Sequence, residues 1–259
     1  MILKLKADDF DFLKTFNSGL FYFFYTPEPQ RKILINPVRT DISNGVNKKI
    51  VLLKFFQKKD LYIEVDKELN KSELEFLKNR LIYCFGLNED MQEFYRICRR
   101  DAVLRKFYSR IVNTRIISAF CDFEALVGAI VSQNNSYRGY RIQMKLLYEK
   151  TLFRKEKFLN AEKLRKYKIG YKADYLVELA RNFGKIPLPQ IKGIGRYSLG
   201  LFEIFQKRDY NSFYVDCLTE KILKENYGIR KNFEEAGKKL WGNWRGLALA
   251  YLQRFFEKK

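Results

Sequence analysis

Leu188-Pro189-Gln190-Ile191-Lys192-Gly193-Ile194-Gly195-Arg196-Tyr197-Ser198 is the stretch that decides the fold. Two glycines flank one apolar residue, so the backbone can turn tightly, and no side chain stands between a phosphate and the amides opening the next helix. Ile191 and Ile194 are placed to anchor that turn in a core while its N–H groups face outward. A hairpin of this kind grips one nucleic-acid phosphate; it positions a protein without reading sequence. A bare Gly-x-Gly also spells an ordinary tight turn between helices, so the flanks must decide.

Both flanks read as helix. Upstream, Lys172 to Phe183 is amphipathic on Ala173, Leu176, Val177, Leu179 and Ala180, and Gly184 and Pro187 end it. Downstream, Arg196 to Phe205 resumes helical spacing, giving helix, glycine turn, helix. One helix and a loop later comes Phe213-Tyr214-Val215-Asp216-Cys217-Leu218, with Asp216 predicted to open a helix through Leu218, Ile222 and Leu223. An Asp there is most often a simple N-cap. Further upstream, Asp122 is the expected N-cap of a helix with Phe123, Leu126, Val127, Ile130 and Val131 as its apolar stripe. It ends in the polar cluster Ser132-Gln133-Asn134-Asn135. A second helix follows over Ser136 to Leu152, with Arg138, Arg141 and Lys145 on a solvated face.

The first part of the chain is different. Short runs rich in aromatic and β-branched residues, Gly19 to Tyr25, Lys32 to Ile35, Lys49 to Phe56 and Leu61 to Val65, predict antiparallel strands. Pro27, Pro29 and Ser43-Asn44-Gly45 supply turns. Ser72 to Phe85 reads as a helix stopped by Gly86. The expectation is an α+β protein: an antiparallel sheet-plus-helix domain over 1–88 and a helical domain over 89–259, with the helix-hairpin-helix at about 172–206.

Composition narrows the chemistry. Among 259 residues, 50 Lys and Arg oppose 30 Asp and Glu, a net charge of +20 spread along most of the chain, so a polyanion is the natural partner. No apolar run is long enough to span a membrane and no signal peptide opens the chain, so a soluble intracellular monomer, cytoplasmic or nuclear, is expected. Four cysteines lie far apart with no C-x-x-C pair and histidine is absent, which argues against a zinc or iron-sulfur site. Without histidine, every Ser-His or Cys-His scheme is also excluded. Hydrolysis must then rest on carboxylates, lysine, tyrosine or water.

Taken in order, Phe123-Glu124-Ala125-Leu126, the Ser-Gln-Asn-Asn cluster, Gly170-Tyr171-Lys172-Ala173-Asp174-Tyr175, the hairpin, Val215-Asp216 and Trp244-Arg245-Gly246-Leu247-Ala248 form a pattern. It resembles the helix-hairpin-helix DNA glycosylases, especially the branch holding 3-methyladenine DNA glycosylase II and 8-oxoguanine DNA glycosylase. The resemblance runs from about residue 75 to the C-terminus. Over the first 75 residues it rests on sheet-rich character alone.

The resemblance implies a base-excision repair enzyme acting on double-stranded DNA with a damaged base, with Asp216 as the catalytic carboxylate. Bifunctional relatives carry a lysine nucleophile in the second helix of the motif, where this chain has Tyr197, so hydrolysis without strand cleavage is implied. Lys192, Gly193, Ile194, Gly195 and Arg196 would hold the phosphate. Gln133, Asn134 and Asn135 would fill the gap left by a flipped nucleotide, with Asn134 first among them and Tyr171 pressing on the opposite strand. Tyr197, Tyr214 and Trp244 are the candidate base pocket. No cofactor is implied beyond a Na⁺ or K⁺ ion at the backbone carbonyls of Ile191 and Gly193.

The hairpin departs from the family with Lys192 where proline is usual and Leu199 where a small residue is usual. Substrate clues conflict. The aromatic at position 197 favours alkylated purines such as 3-methyladenine, whereas Gln133-Asn134-Asn135 leans toward the oxoguanine enzymes, which leaves oxidised, deaminated or mispaired purines open. A non-catalytic binding module, with Asp216 a mere cap, is the alternative from another class.

Overall fold

Alternating burial along four short strands builds the N-terminal sheet: β1 (Ile2–Leu5), β2 (Gln30–Ile35), β3 (Lys49–Gln57) and β4 (Leu61–Val65). The computed structural model describes residues 1–19, 24–26, 28–35 and 49–256. Every pairing is antiparallel, in the order β1-β4-β3-β2. Leu3 and Leu5, Ile33 and Ile35, Val51, Leu53 and Phe55, and Leu61, Ile63 and Val65 all point to one buried face, as a period of two requires. Helices α1 (Phe12–Ser18) and α2 (Lys71–Phe85) cover that face with Phe12, Leu77, Leu81 and Phe85. Gly86 ends α2 in the left-handed region, as its sequence position suggests.

At the N-terminus two elements went unread and one strand reading is corrected at its edges. β1 and α1 were not legible as elements, and the strand expected from Gly19 is not found where the chain is described. Gly19 terminates α1 at φ 77°, while Phe24 is core packing, its ring 5.9 Å from Phe12 and 5.3 Å from Phe55. Residues 20–23, Pro27 and the Ser43-Asn44-Gly45 turn lie outside the described residues.

The rest is helical: α3 (Gln92–Arg100), α4 (Tyr108–Ile111), α5 (Asp122–Ser132), α6 (Tyr137–Thr151), α7 (Ala161–Arg165), α8 (Lys172–Asn182), α9 (Arg196–Leu201), α10 (Cys217–Tyr227), α11 (Phe233–Trp241) and α12 (Arg245–Phe256). The helix expected over Arg196 to Phe205 changes at Phe202 into a π-type turn, Phe202–Lys207. α5 is the central post, buried without a break from Phe123 to Val131. One apolar cluster joins it to α6, α8 and the hairpin; a second, reaching it through Ala129, gathers α3, α10 and α12.

Asp122 does not cap α5. Cys121 holds that position without a side-chain bond, because the Asp122 carboxylate is engaged by Lys207 at 2.7 Å and Gln206 at 2.9 Å from the π-type turn. The other end of this joint is a buried ion pair in which Arg31 of β2 donates to both carboxylate oxygens of Glu124 on α5, at 2.7 Å each. Tyr25 adds a third donor at 2.6 Å. Among the described residues, no helix is long and apolar enough to cross a membrane.

Candidate active site

The hairpin between α8 and α9 is built as its spelling requires. Ile191 and Ile194 are buried, while Lys192, Gly195 and Arg196 are exposed. Gly193 sits at φ 95°, and a Cβ there would stand 2.5 Å from Cγ of Tyr175. Gly195 is different: its φ is −100°, it precedes α9 as the N-cap, and a Cβ would meet nothing within 4 Å. That glycine keeps open the approach to the first amides of α9.

The polar loop after α5 divides into three roles. Gln133 donates through Nε2 to the Gly193 carbonyl and to the Ser198 hydroxyl, both at 2.7 Å, and so ties the loop to the hairpin. Asn135 turns inward, donating to the Val131 carbonyl at 3.1 Å and to Gln143 at 2.8 Å. Asn134 is left exposed at φ 45°, with its amide 3.2 Å from the Tyr171 hydroxyl. Behind the loop, the buried Lys172 donates to the Val131 carbonyl at 2.8 Å and closes the C-terminal end of α5. Desolvation lowers the pKa of its amine.

Asp216 caps α10, as a bare reading of the sequence would have it, and does more. Its Oδ1 accepts the Thr219 amide at 2.7 Å, the Thr219 hydroxyl at 2.7 Å and Nε2 of Gln253 at 3.1 Å. Among the described residues Oδ2 takes no hydrogen bond. Gln253 in turn accepts the Tyr214 hydroxyl at 2.6 Å. The Tyr214 ring meets Tyr197 edge-on, with centroids 5.3 Å apart and planes at 85°.

An open cleft of about 1070 Å³ brings these groups together. Its walls include Lys192 to Arg196 of the hairpin, Gln133, Asn134, Asn135, Tyr197, Tyr214 and Asp216. Tyr171 is half exposed beside the rim, touching the cleft through Asn134. Trp244 is not in the cleft: its indole donates to Glu93 at 2.9 Å, and its ring stacks on Tyr210 at 5.5 Å within the second apolar cluster. Its place in the expected base pocket is therefore corrected. Among the wall residues that the sequence reading gave no role are Tyr137, Tyr140, Tyr175, Gln253 and Arg254. Gln253 had one signal, an uncharged polar residue directly after the buried run Gly246 to Leu252 of α12.

The two hairpin carbonyls named for a monovalent ion each have one hydrogen bond already, Ile191 from the Ile194 amide and Gly193 from Gln133. Each keeps one lone pair, so together they offer two ligands at most. That is no coordination shell by itself. Among the described residues no group of three or more His, Cys, Asp or Glu could hold a metal.

No protein-family model matches the chain, and a search of the curated proteins finds no match. Solved structures do match. A 3-methyladenine DNA-glycosylase from Archaeoglobus fulgidus superposes with a TM-score of 0.76 at 18% identity, covering 100% of both chains. An 8-oxoguanine glycosylase/lyase from Clostridium acetobutylicum gives 0.72 at 20% identity over 98% of each. A DNA-3-methyladenine glycosidase from Bacillus halodurans covers 64% of this chain and 89% of its own, at a TM-score of 0.50 and 20% identity. The chain therefore has the fold of the helix-hairpin-helix DNA glycosylases.

Proposed function

We propose that the protein is a DNA glycosylase that extrudes a damaged purine from a duplex and hydrolyses its N-glycosidic bond through Asp216, leaving an abasic site. One observation carries this reading: a carboxylate with a free oxygen shares a cleft with a phosphate-gripping hairpin. Loss of the base builds positive charge on the deoxyribose, and an anion held beside the sugar stabilises that transition state and orients water. The exposed, left-handed Asn134 suits the gap-filling role, whereas Gln133 and Asn135 are tied down. Tyr171 stands beside Asn134 to meet the opposite strand.

Hydrolysis without strand cleavage is the favoured chemistry. Tyr197 stands at the nucleophile position, Lys192 is exposed before the turn, and Lys172 is buried against Val131. Borohydride trapping should give no covalent adduct with DNA. Next to Asp216 the cleft offers tyrosine rings, and the Tyr214 hydroxyl and the Gln253 amide satisfy each other. Ring faces and a carboxylate favour a cationic purine, such as 3-methyladenine, over a base read by hydrogen bonds. The likeness to the clostridial 8-oxoguanine enzyme keeps oxidised purines as the second reading.

Asp216→Asn tests the reading cleanly. Asparagine keeps an acceptor for the Thr219 amide, so the cap and the fold survive. Base release from a panel of single-lesion duplexes should fall by about 10²- to 10³-fold while duplex affinity stays. Unchanged release would take Asp216 out of the chemistry, and no release from any lesion by the wild-type protein would leave only a binding module.

A further inference from the structure

A helix cap needs one acceptor for one amide, and Thr219 supplies that partner to Asp216 within its own turn. Two further donors converge on the same oxygen, and one of them comes from another helix. Gln253 donates through Nε2 to Asp216 at 3.1 Å and to the Thr219 hydroxyl at 3.0 Å, while its Oε1 accepts from Tyr214. The amide orientation is locked from both ends. Turned over, it would set Oε1 against a carboxylate oxygen and lose the Tyr214 hydroxyl as donor. Nothing about starting α10 calls for this chain of contacts.

We infer that Gln253 is a positioning residue: it fixes the Asp216 carboxylate by Oδ1 so that Oδ2 stays uncommitted toward the cleft, and Tyr214 fixes Gln253. The inference rests on the glycosylase reading of Asp216 and deepens it. The Tyr214 hydroxyl then serves the carboxylate through Gln253 and takes no part in reading the base. Besides Asp216, the titratable and charged groups on the cleft wall are Lys192 and Arg196 of the hairpin, Arg254 of α12, Cys217, and the tyrosines. Among the described wall residues there is no second carboxylate.

The test is single-turnover base release between pH 5 and pH 9. Its substrate is duplex DNA methylated with dimethyl sulfate, or the panel lesion that wild type releases if methylated DNA is refused. Gln253→Leu should slow release about 10- to 100-fold with duplex affinity nearly unchanged, because a misplaced reacting group costs rate rather than binding. Gln253→Glu keeps the shape but sets a second carboxylate beside the first. Two carboxylates in contact share a proton to higher pH, so the acid limb of the rate should move up by about one unit. Tyr214→Phe should lose only about threefold, and Tyr214→Phe with Gln253→Leu should be no slower than Gln253→Leu alone, since the hydroxyl acts through the amide. If Gln253→Leu fails to fold, the isosteric Gln253→Glu carries the test. Wild-type rates and an unmoved acid limb in both Gln253 variants, beside an inactive Asp216→Asn, overturn the inference and spare the glycosylase reading. An active Asp216→Asn, or no release from any lesion by wild type, overturns both.

Discussion

The side-chain amide of Gln133 spans the hairpin, donating to the Gly193 carbonyl on one side of the turn and to the Ser198 hydroxyl on the other, at 2.7 Å each. One residue of the loop after α5 thereby fixes the hairpin relative to the post of the helical part. Gln133→Ala removes both bonds and leaves the buried Ser198 hydroxyl and the Gly193 carbonyl short of a donor. The expected loss is about 1–3 kcal/mol in urea unfolding. Duplex affinity, read by fluorescence anisotropy, should fall alongside it. Full stability in the variant would mean that the hairpin holds itself.

The two glycines of the turn should fail in different ways. At Gly193 the positive φ and the Tyr175 ring leave no room for a Cβ, so Gly193→Ala should unfold the turn and lower both melting temperature and affinity. At Gly195 the backbone is ordinary and the space is empty, so Gly195→Ala should melt like wild type. The new methyl would stand where the proposed phosphate approaches, and duplex affinity alone should drop. If Gly195→Ala binds as tightly as wild type, the phosphate docks elsewhere.

Sequence legibility followed locality. The hairpin could be read because its geometry depends on adjacent residues, and Ile191 and Ile194 bury just as a tight turn needs. The α2 stop at Gly86 and the start of α10 at Asp216 are local in the same sense. Asp122 was misread because its partners, Gln206 and Lys207, lie more than eighty positions away and outweigh the cap. Trp244 was misread because an aromatic in a basic chain looks the same whether it faces a ligand or stacks on Tyr210. Gln253 stayed hidden for a related reason. Its meaning comes from Tyr214 and Asp216, which meet it only when α10 packs on α12.

Between the sheet and α5, the Arg31–Glu124 pair is almost fully buried. Burial disfavours the charge of Arg31, yet the Glu124 carboxylate outweighs it and raises the guanidinium pKa, so the pair persists as ions. Glu124→Gln leaves the guanidinium charge buried without its counter-ion and should cost about 3–5 kcal/mol in denaturant unfolding. Replacing both, Arg31→Met with Glu124→Leu, should recover most of that loss. A double variant as unstable as the single one would show that shape, rather than charge, fixes this joint.

Cys217 offers a chemical probe of the proposed DNA-facing cleft, since it is exposed, lines the cleft and adjoins Asp216. The other thiols are poor nucleophiles. Burial pushes Cys84 up to about 11 and Cys98 up to about 12, and Cys121, though it reaches the surface, is pushed up to about 12 by burial of its thiol. Thiolate is the reacting form, so at pH 8 those three stay protonated and inert. Iodoacetamide at that pH should therefore add one group, at Cys217, by peptide mass mapping. Duplex DNA at low salt should protect it, and high salt should remove the protection, because phosphate contacts weaken as counterions compete. Labelling that ignores DNA at low salt would separate the hairpin cleft from the DNA-binding face and take the main support from the glycosylase reading.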